Sequence, residues 1–185
     1  NLNLIIQILG LITFGFNISA EEFNITAKEI LIDKDNEIIV GKGSVKAIDS
    51  MGRVINGNKI TYEKSREFLT IEGNAEIFDL KGNILKTNKA TYDQKFELII
   101  TYGDTELKLK NGYTLKSKNI SYNRKSEILS SNEKSILSDN DGNIVKTNMF
   151  QYNIKNNLFS SVGKIDVIDI KKNKYFLLHL TTLFY

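Results

Sequence analysis

The chain has 185 residues, 41% hydrophobic and 25% charged, enough apolar material for one domain with a buried core and too much for a disordered tail. A net charge of +3, with the 25 Lys and Arg scattered along the chain, does not make the clustered footprint that nucleic acid requires. The absence of cysteine excludes disulfides and thiolate metal sites, and a lone His179 cannot supply an imidazole metal cluster.

Asn1 to Ala20 carries no charge, and Leu4 to Phe16 is apolar apart from Gln7 and Thr13. A short apolar core, the Ser19-Ala20 exit and the switch to Glu21-Glu22 predict a secretory signal peptide over residues 1–20. The alternative is an N-terminal membrane anchor, since Leu2 to Ala20 is just long enough to span. Either sends the remainder out of the cytoplasm.

From Glu21 the chain repeats itself. Gly52, Gly82, Gly112 and Gly142 step by 30 residues, as do Tyr62, Tyr92, Tyr122 and Tyr152. A second glycine column runs Gly43, Gly73, Gly103 and Gly163, broken at Glu133. Eight of the 12 glycines fall in register, which marks a stack of equivalent supersecondary units. Residues 21–49 read as a degraded first copy, with the Asp33-Lys34-Asp35-Asn36 turn between Ile32 and Ile38.

Each later copy contains two strands. Val54 to Glu63 leads through Lys64-Ser65-Arg66 into Phe68 to Glu72; Gly73 interrupts, and Ala75 to Phe78 continues. A glycine at the same place in every returning strand predicts a bend that curls the sheet or folds it into two layers. Asn111-Gly112 and Asp141-Gly142 predict type I′ hairpin turns. No stretch after Ala20 has helical periodicity. The expected fold is all-β: a twisted, open, V-shaped roll of ten or more antiparallel strands over residues 21–174. Residues 175–185 form a C-terminal strand or the start of a further repeat.

Alternation assigns an apolar face: Ile60, Ala90, Ile120 and Phe150; the tyrosines two residues later; Leu69, Ile99, Leu129 and Phe159; and Ile77, Leu107, Leu137 and Val167. The Thr, Ser, Lys, Asn and Glu between them are expected on the wet face. No catalytic constellation emerges. Asp33-Asp35 and Asp139-Asp141 sit in turns, where Asp is favoured for backbone reasons, and His179 lies in an apolar strand. The expectation is no enzyme, no cofactor and no metal.

The recurrent pattern of glycine, apolar residue, Asn, small or apolar residue and Tyr, followed by a returning apolar strand with an internal glycine, is best written in Gly82 to Asp93 with Leu98 to Leu107, and in Gly52 to Glu63 with Phe68 to Ile77. It resembles the OstA-like β-jellyroll domain of lipopolysaccharide transport, found in LptA-, LptC- and LptD-type proteins. The resemblance covers Phe23 to Ile170. It implies a lipopolysaccharide carrier or bridge that shields lipid A acyl chains in an apolar groove, joined end to end with similar subunits through edge strands, with no nucleic-acid partner. The groove would be lined by Ile60, Tyr62, Ile71, Ile77, Ala90, Tyr92, Ile99, Leu107, Ile120, Tyr122, Leu129, Phe150 and Tyr152, with Lys and Arg at its rim meeting phosphates. A structural β-solenoid with a sealed core, of the kind found in surface fibres, is the alternative.

Overall fold

A computed structural model describes residues 23–183. The expected signal peptide or anchor, residues 1–20, lies outside the described residues. The described chain is all-β and antiparallel, with one single-turn 3-10 helix at Lys64–Arg66. The strands are β1 (Asn24–Thr26), β2 (Glu29–Asp33), β3 (Ile38–Ile48), β4 (Val54–Glu63), β5 (Phe68–Phe78), β6 (Ile84–Asp93), β7 (Leu98–Lys108), β8 (Thr114–Lys118), β9 (Ser121–Asn123), β10 (Ile128–Ser131), β11 (Ser135–Ser138), β12 (Ile144–Thr147), β13 (Phe150–Asn153), β14 (Leu158–Ile168) and β15 (Lys174–Leu183).

The pairs β8/β9, β10/β11 and β12/β13 are halves of single strands, broken at mid-length. With them rejoined, every strand from β3 onward pairs with its sequence neighbours as one long meander. The 30-residue period is one trip up and one trip back.

Each trip crosses a bend, and the two directions cross it differently. On outgoing strands the buried positions are three residues apart across the bend: Gly57 and Ile60, Thr87 and Ala90, Ser117 and Ile120, Thr147 and Phe150. On returning strands they are four apart: Ile71 and Ala75, Thr101 and Thr105, Ser131 and Ser135, Ser161 and Ile165. The extra residue is a bulge, seen as a register shift between Glu72 and Ala75 and between Lys42 and Val45. Gly73 (φ 72°) and Asn74 (φ 49°) absorb it with consecutive left-handed residues, which is why glycine recurs there.

The bend folds the sheet into two layers. The proximal layer carries Ile60, Tyr62, Leu69, Ile71, Ala90 and Tyr92; the distal layer carries Val45, Ala47, Ile55 and Ala75; and these pack as one cluster. A second cluster unites Leu85, Leu107, Leu115 and Leu137 with Ile120, Leu129, Phe150, Tyr152 and Phe159. An open V was expected. Instead the facing columns close on each other, because apolar surface left in water costs about 25 cal/mol per Å². In the second half the pairings form a barrel-like ring of eight segments, β7-β8-β11-β12-β14-β13-β10-β9.

The distal hairpins are not type I′. Gly52 N–H donates to Asp49 O and Asp49 N–H to Arg53 O, with positive φ at Gly52 alone: a three-residue loop with a glycine bulge. At four of the five distal turns among the described residues a preceding Asp braces the loop, and the fifth makes the same backbone bonds around Leu109 and Gly112. Asp139 Oδ1 accepts N–H bonds from Asp141, Gly142 and Asn143, and its Oδ2 accepts from the Asn143 side chain. Asp49, Asp79 and Asp169 do the same, with Arg53, Asn83 and Asn173 as side-chain partners.

Candidate functional site: the interior and its seam

The expected lining residues all point inward. Ile60, Ile71 and Ala90 are 0% exposed, and Tyr62, Tyr92, Leu107, Ile120, Leu129, Phe150 and Tyr152 are buried. Ile77, Ile99 and Tyr122 are half-buried against the same clusters. The reading missed the distal lining, Ile55, Leu85 and Leu115, because outgoing strands change side at the bend; the three-residue spacing from Gly57 to Ile60 was the available signal.

It also misplaced hydroxyls. Thr87, Thr101, Thr105, Ser117, Ser131, Ser135, Thr147 and Ser161 were expected in water and are buried along the bend. They satisfy one another and the backbone. The Thr105 hydroxyl lies 2.8 Å from that of Thr101 and 3.2 Å from that of Thr87, and Ser117 pairs with Ser135 at 2.7 Å. Thr101 takes a backbone role: where the outgoing strand breaks, its Oγ1 accepts the Ile120 N–H at 2.9 Å.

Opposite the bend, the proximal and distal turn rows meet along a seam. Arg124 of a proximal turn reaches Met51 of a distal turn, Nη2 to Sδ 3.8 Å, while its guanidinium lies over the Tyr92 ring and donates to the Tyr92 hydroxyl. Burial pushes the Tyr122 phenol up from its ordinary pKa, with Glu127 adding to the rise and Arg124 opposing it; Asp79 and Arg53 from the distal turns also act on it. Burial likewise raises Tyr152, with the distal Tyr113 beside it. Tyr62 donates to Gln94 Oε1 and Tyr152 to Asn157 Oδ1. The tyrosine column therefore lines the proximal side of the seam, rings inward and hydroxyls at the rim bonded to the proximal turns. Among the described residues, no backbone hydrogen bond crosses it.

The outer face is a charge ladder. Glu76, Lys86, Glu106 and Lys116 stand in one cross-strand row, with Lys86–Glu76 at 2.6 Å and Lys116–Glu106 at 3.5 Å. These border a shallow cleft of about 580 Å³ beside the bend. Among the described residues no group of His, Cys, Asp or Glu is placed to hold a metal ion, and no helix is long and apolar enough to cross a membrane. His179 sits in β15, bonded to Thr181 at 2.9 Å.

No family model matches the chain, and no curated protein matches it. Among solved structures it is similar to the wild-type TCP10 domain of Danio rerio CPAP in complex with a peptide of Danio rerio STIL, with 11% identity over 88% of this chain and 99% of that chain and a TM-score of 0.16. A superposition that loose carries no argument about what this chain binds.

Proposed function

We propose that this protein is a non-enzymatic lipopolysaccharide carrier of the periplasm, taking lipid A acyl chains between its two layers as part of a bridge to the outer membrane. The observation that carries the reading is the asymmetry of the two long borders. At the bend the layers are joined by continuous backbone; at the seam, among the described residues, they are held by side chains. Such a roll opens into a V by parting the Tyr and Arg contacts without breaking a strand pair, and the cost is exposed apolar surface that an acyl chain covers again. The export-like segment and the resemblance of the repeats to the OstA-like domain support the same reading. In this proposal the edge strands β1, β2 and β15 pair with similar subunits.

A photoreactive residue at Ile99 or Tyr122 in cells making lipopolysaccharide is expected to yield a lipid adduct, and one at the outward Lys59 or Lys118 is not. Equal labelling at all four positions removes the reading. The second reading, a spacer with a permanently sealed core, is favoured by the near-zero exposure of Ile60, Leu69, Ile71 and Ala90. A short bifunctional maleimide joining Met51→Cys to Arg124→Cys separates the two, since the chain has no cysteine of its own. Locking the seam abolishes lipid uptake by a carrier and leaves a spacer unchanged.

A further inference from the structure

The turns along the seam sort their charges by depth. At the outermost positions of the last four proximal turns stand Lys64, Arg66, Lys95, Lys125 and Lys155, with no carboxylate among them. The acids of those turns, Glu67, Glu97 and Glu127, are set back and half-buried, as is Glu63, which pairs with Arg66 at 2.7 Å. The distal tips carry Lys81, Lys110, Lys171 and Lys172 against the single exposed Asp141. The remaining distal carboxylates, Asp49, Asp79, Asp139 and Asp169, bond their own turns. Interleaved with these cations are large, mostly exposed apolar side chains: Met51 at 54% exposure, Leu80 at 65%, Phe96 at 63% and Ile170 at 59%. The Arg124–Met51 contact brings the two rows to one border of the molecule.

Single exposed apolar residues need no explanation. A row of them at hairpin tips, each beside a basic residue and with the acids withdrawn, has the composition of an interfacial anchor. We propose that the seam border is a docking edge for an anionic bilayer surface, the lysines meeting lipid phosphates and Leu80, Phe96, Ile170 and Met51 dipping among the headgroups. The proposal rests on the carrier reading for what passes through the seam: docked this way, the border that opens faces the membrane, and an acyl chain moves between bilayer and interior without crossing water. The outer charge ladder, mixed in sign and largely paired, does not compete for such a surface.

The chain has no Trp, so single-Trp variants of the full chain report local depth. With vesicles containing phosphatidylglycerol, Phe96→Trp and Leu80→Trp are expected to shift their emission to the blue and to be quenched by brominated lipid. Val162→Trp at the bend and Phe176→Trp on β15 are not. Because the readout is depth at a named position, a tether from residues 1–20 does not mimic it. Lys81→Gln and Lys125→Gln each weaken the affinity read by Phe96→Trp roughly fivefold, and uncharged phosphatidylcholine vesicles largely abolish the shift. No shift at the tips, or an equal or larger one at Val162 or Phe176, overturns the docking edge. If the tips insert but Ile99 and Tyr122 gain no lipid adduct, docking stands and the carrier fails. If the adducts form but the tips stay dry, the carrier stands and docking fails.

Discussion

The first and second halves of the roll solve the same bend with different chemistry. In the first, the positions lining it are Gly41, Val45, Gly57, Ile71 and Ala75, and β3 to β5 run through unbroken. Further along, the equivalent positions in the 30-residue register are Thr87, Thr101, Thr105, Ser117, Ser131, Ser135, Thr147 and Ser161, with Ile165 the apolar exception, and three strands break at the bend into the pairs β8/β9, β10/β11 and β12/β13. The interior of the first bend is closely packed: a Cβ added at Gly57 would stand 2.7 Å from Ile71 Cγ2. Where the backbone ladder is interrupted, hydroxyls replace the missing partners, as Thr101 does for Ile120. The hydroxyls inside this roll sit on the broken strands and on the unbroken β6, β7 and β14 beside them, bonded to one another and to the backbone.

The largest effect that would break the comparison comes from Ile71→Ala, which leaves a cavity in the apolar bend and should lower unfolding free energy by about 2–5 kcal/mol in a denaturant titration. At the equivalent position of the next unit, Thr101→Val keeps the volume but strands the Ile120 N–H; about 1–3 kcal/mol is expected, and a neutral result would mean the hydroxyl was incidental. Ser117→Ala or Ser135→Ala alone should cost about 1 kcal/mol, while the double variant should cost less than the sum, since both single changes remove the same shared bond.

The turns sharpen the picture through pH. Burial pushes the Asp139 carboxyl up, but bonds from the Asn143 side chain and from the N–H groups of Asn143, Gly142 and Asp141 together hold it below its ordinary value. A depressed folded pKa adds stability above the unfolded value, and that stability is lost as pH falls from the ordinary carboxylate value through the depressed one. The Tm of Asp139→Asn should thus fall less between pH 7 and pH 3 than that of the parent. The smallest effect is expected at Glu67, left-handed at φ 51°: Glu67→Gly relieves that backbone and should raise stability by about 0.5–1 kcal/mol.

The proximal columns were legible because strand alternation and period coincide there: Ile60 with Tyr62 and Leu69 with Ile71 need only a two-residue rule. The glycine column announced the bend. Nothing local announced that outgoing strands cross it with one residue fewer than returning ones, so Ile55, Leu85 and Leu115 went unassigned and the inward Thr and Ser were read as wet. The left-handed column Glu37, Glu67, Glu97 and Glu127 was equally hidden, since Glu has no preference for that conformation. The rim tyrosines were placed on the correct face, but their seam partners Met51 and Arg124 lie 73 residues apart.

By itself the sequence determined an all-β chain of two-strand units with one apolar face and a bend in each returning strand, because side-chain period, turn residues and glycine positions are local properties. Only the tertiary structure decided that the two layers touch, that the hydroxyls line the bend and that the basic tips share one border with the tyrosine seam. Those are relations between strands far apart in sequence, set by how a folded sheet covers its own apolar surface.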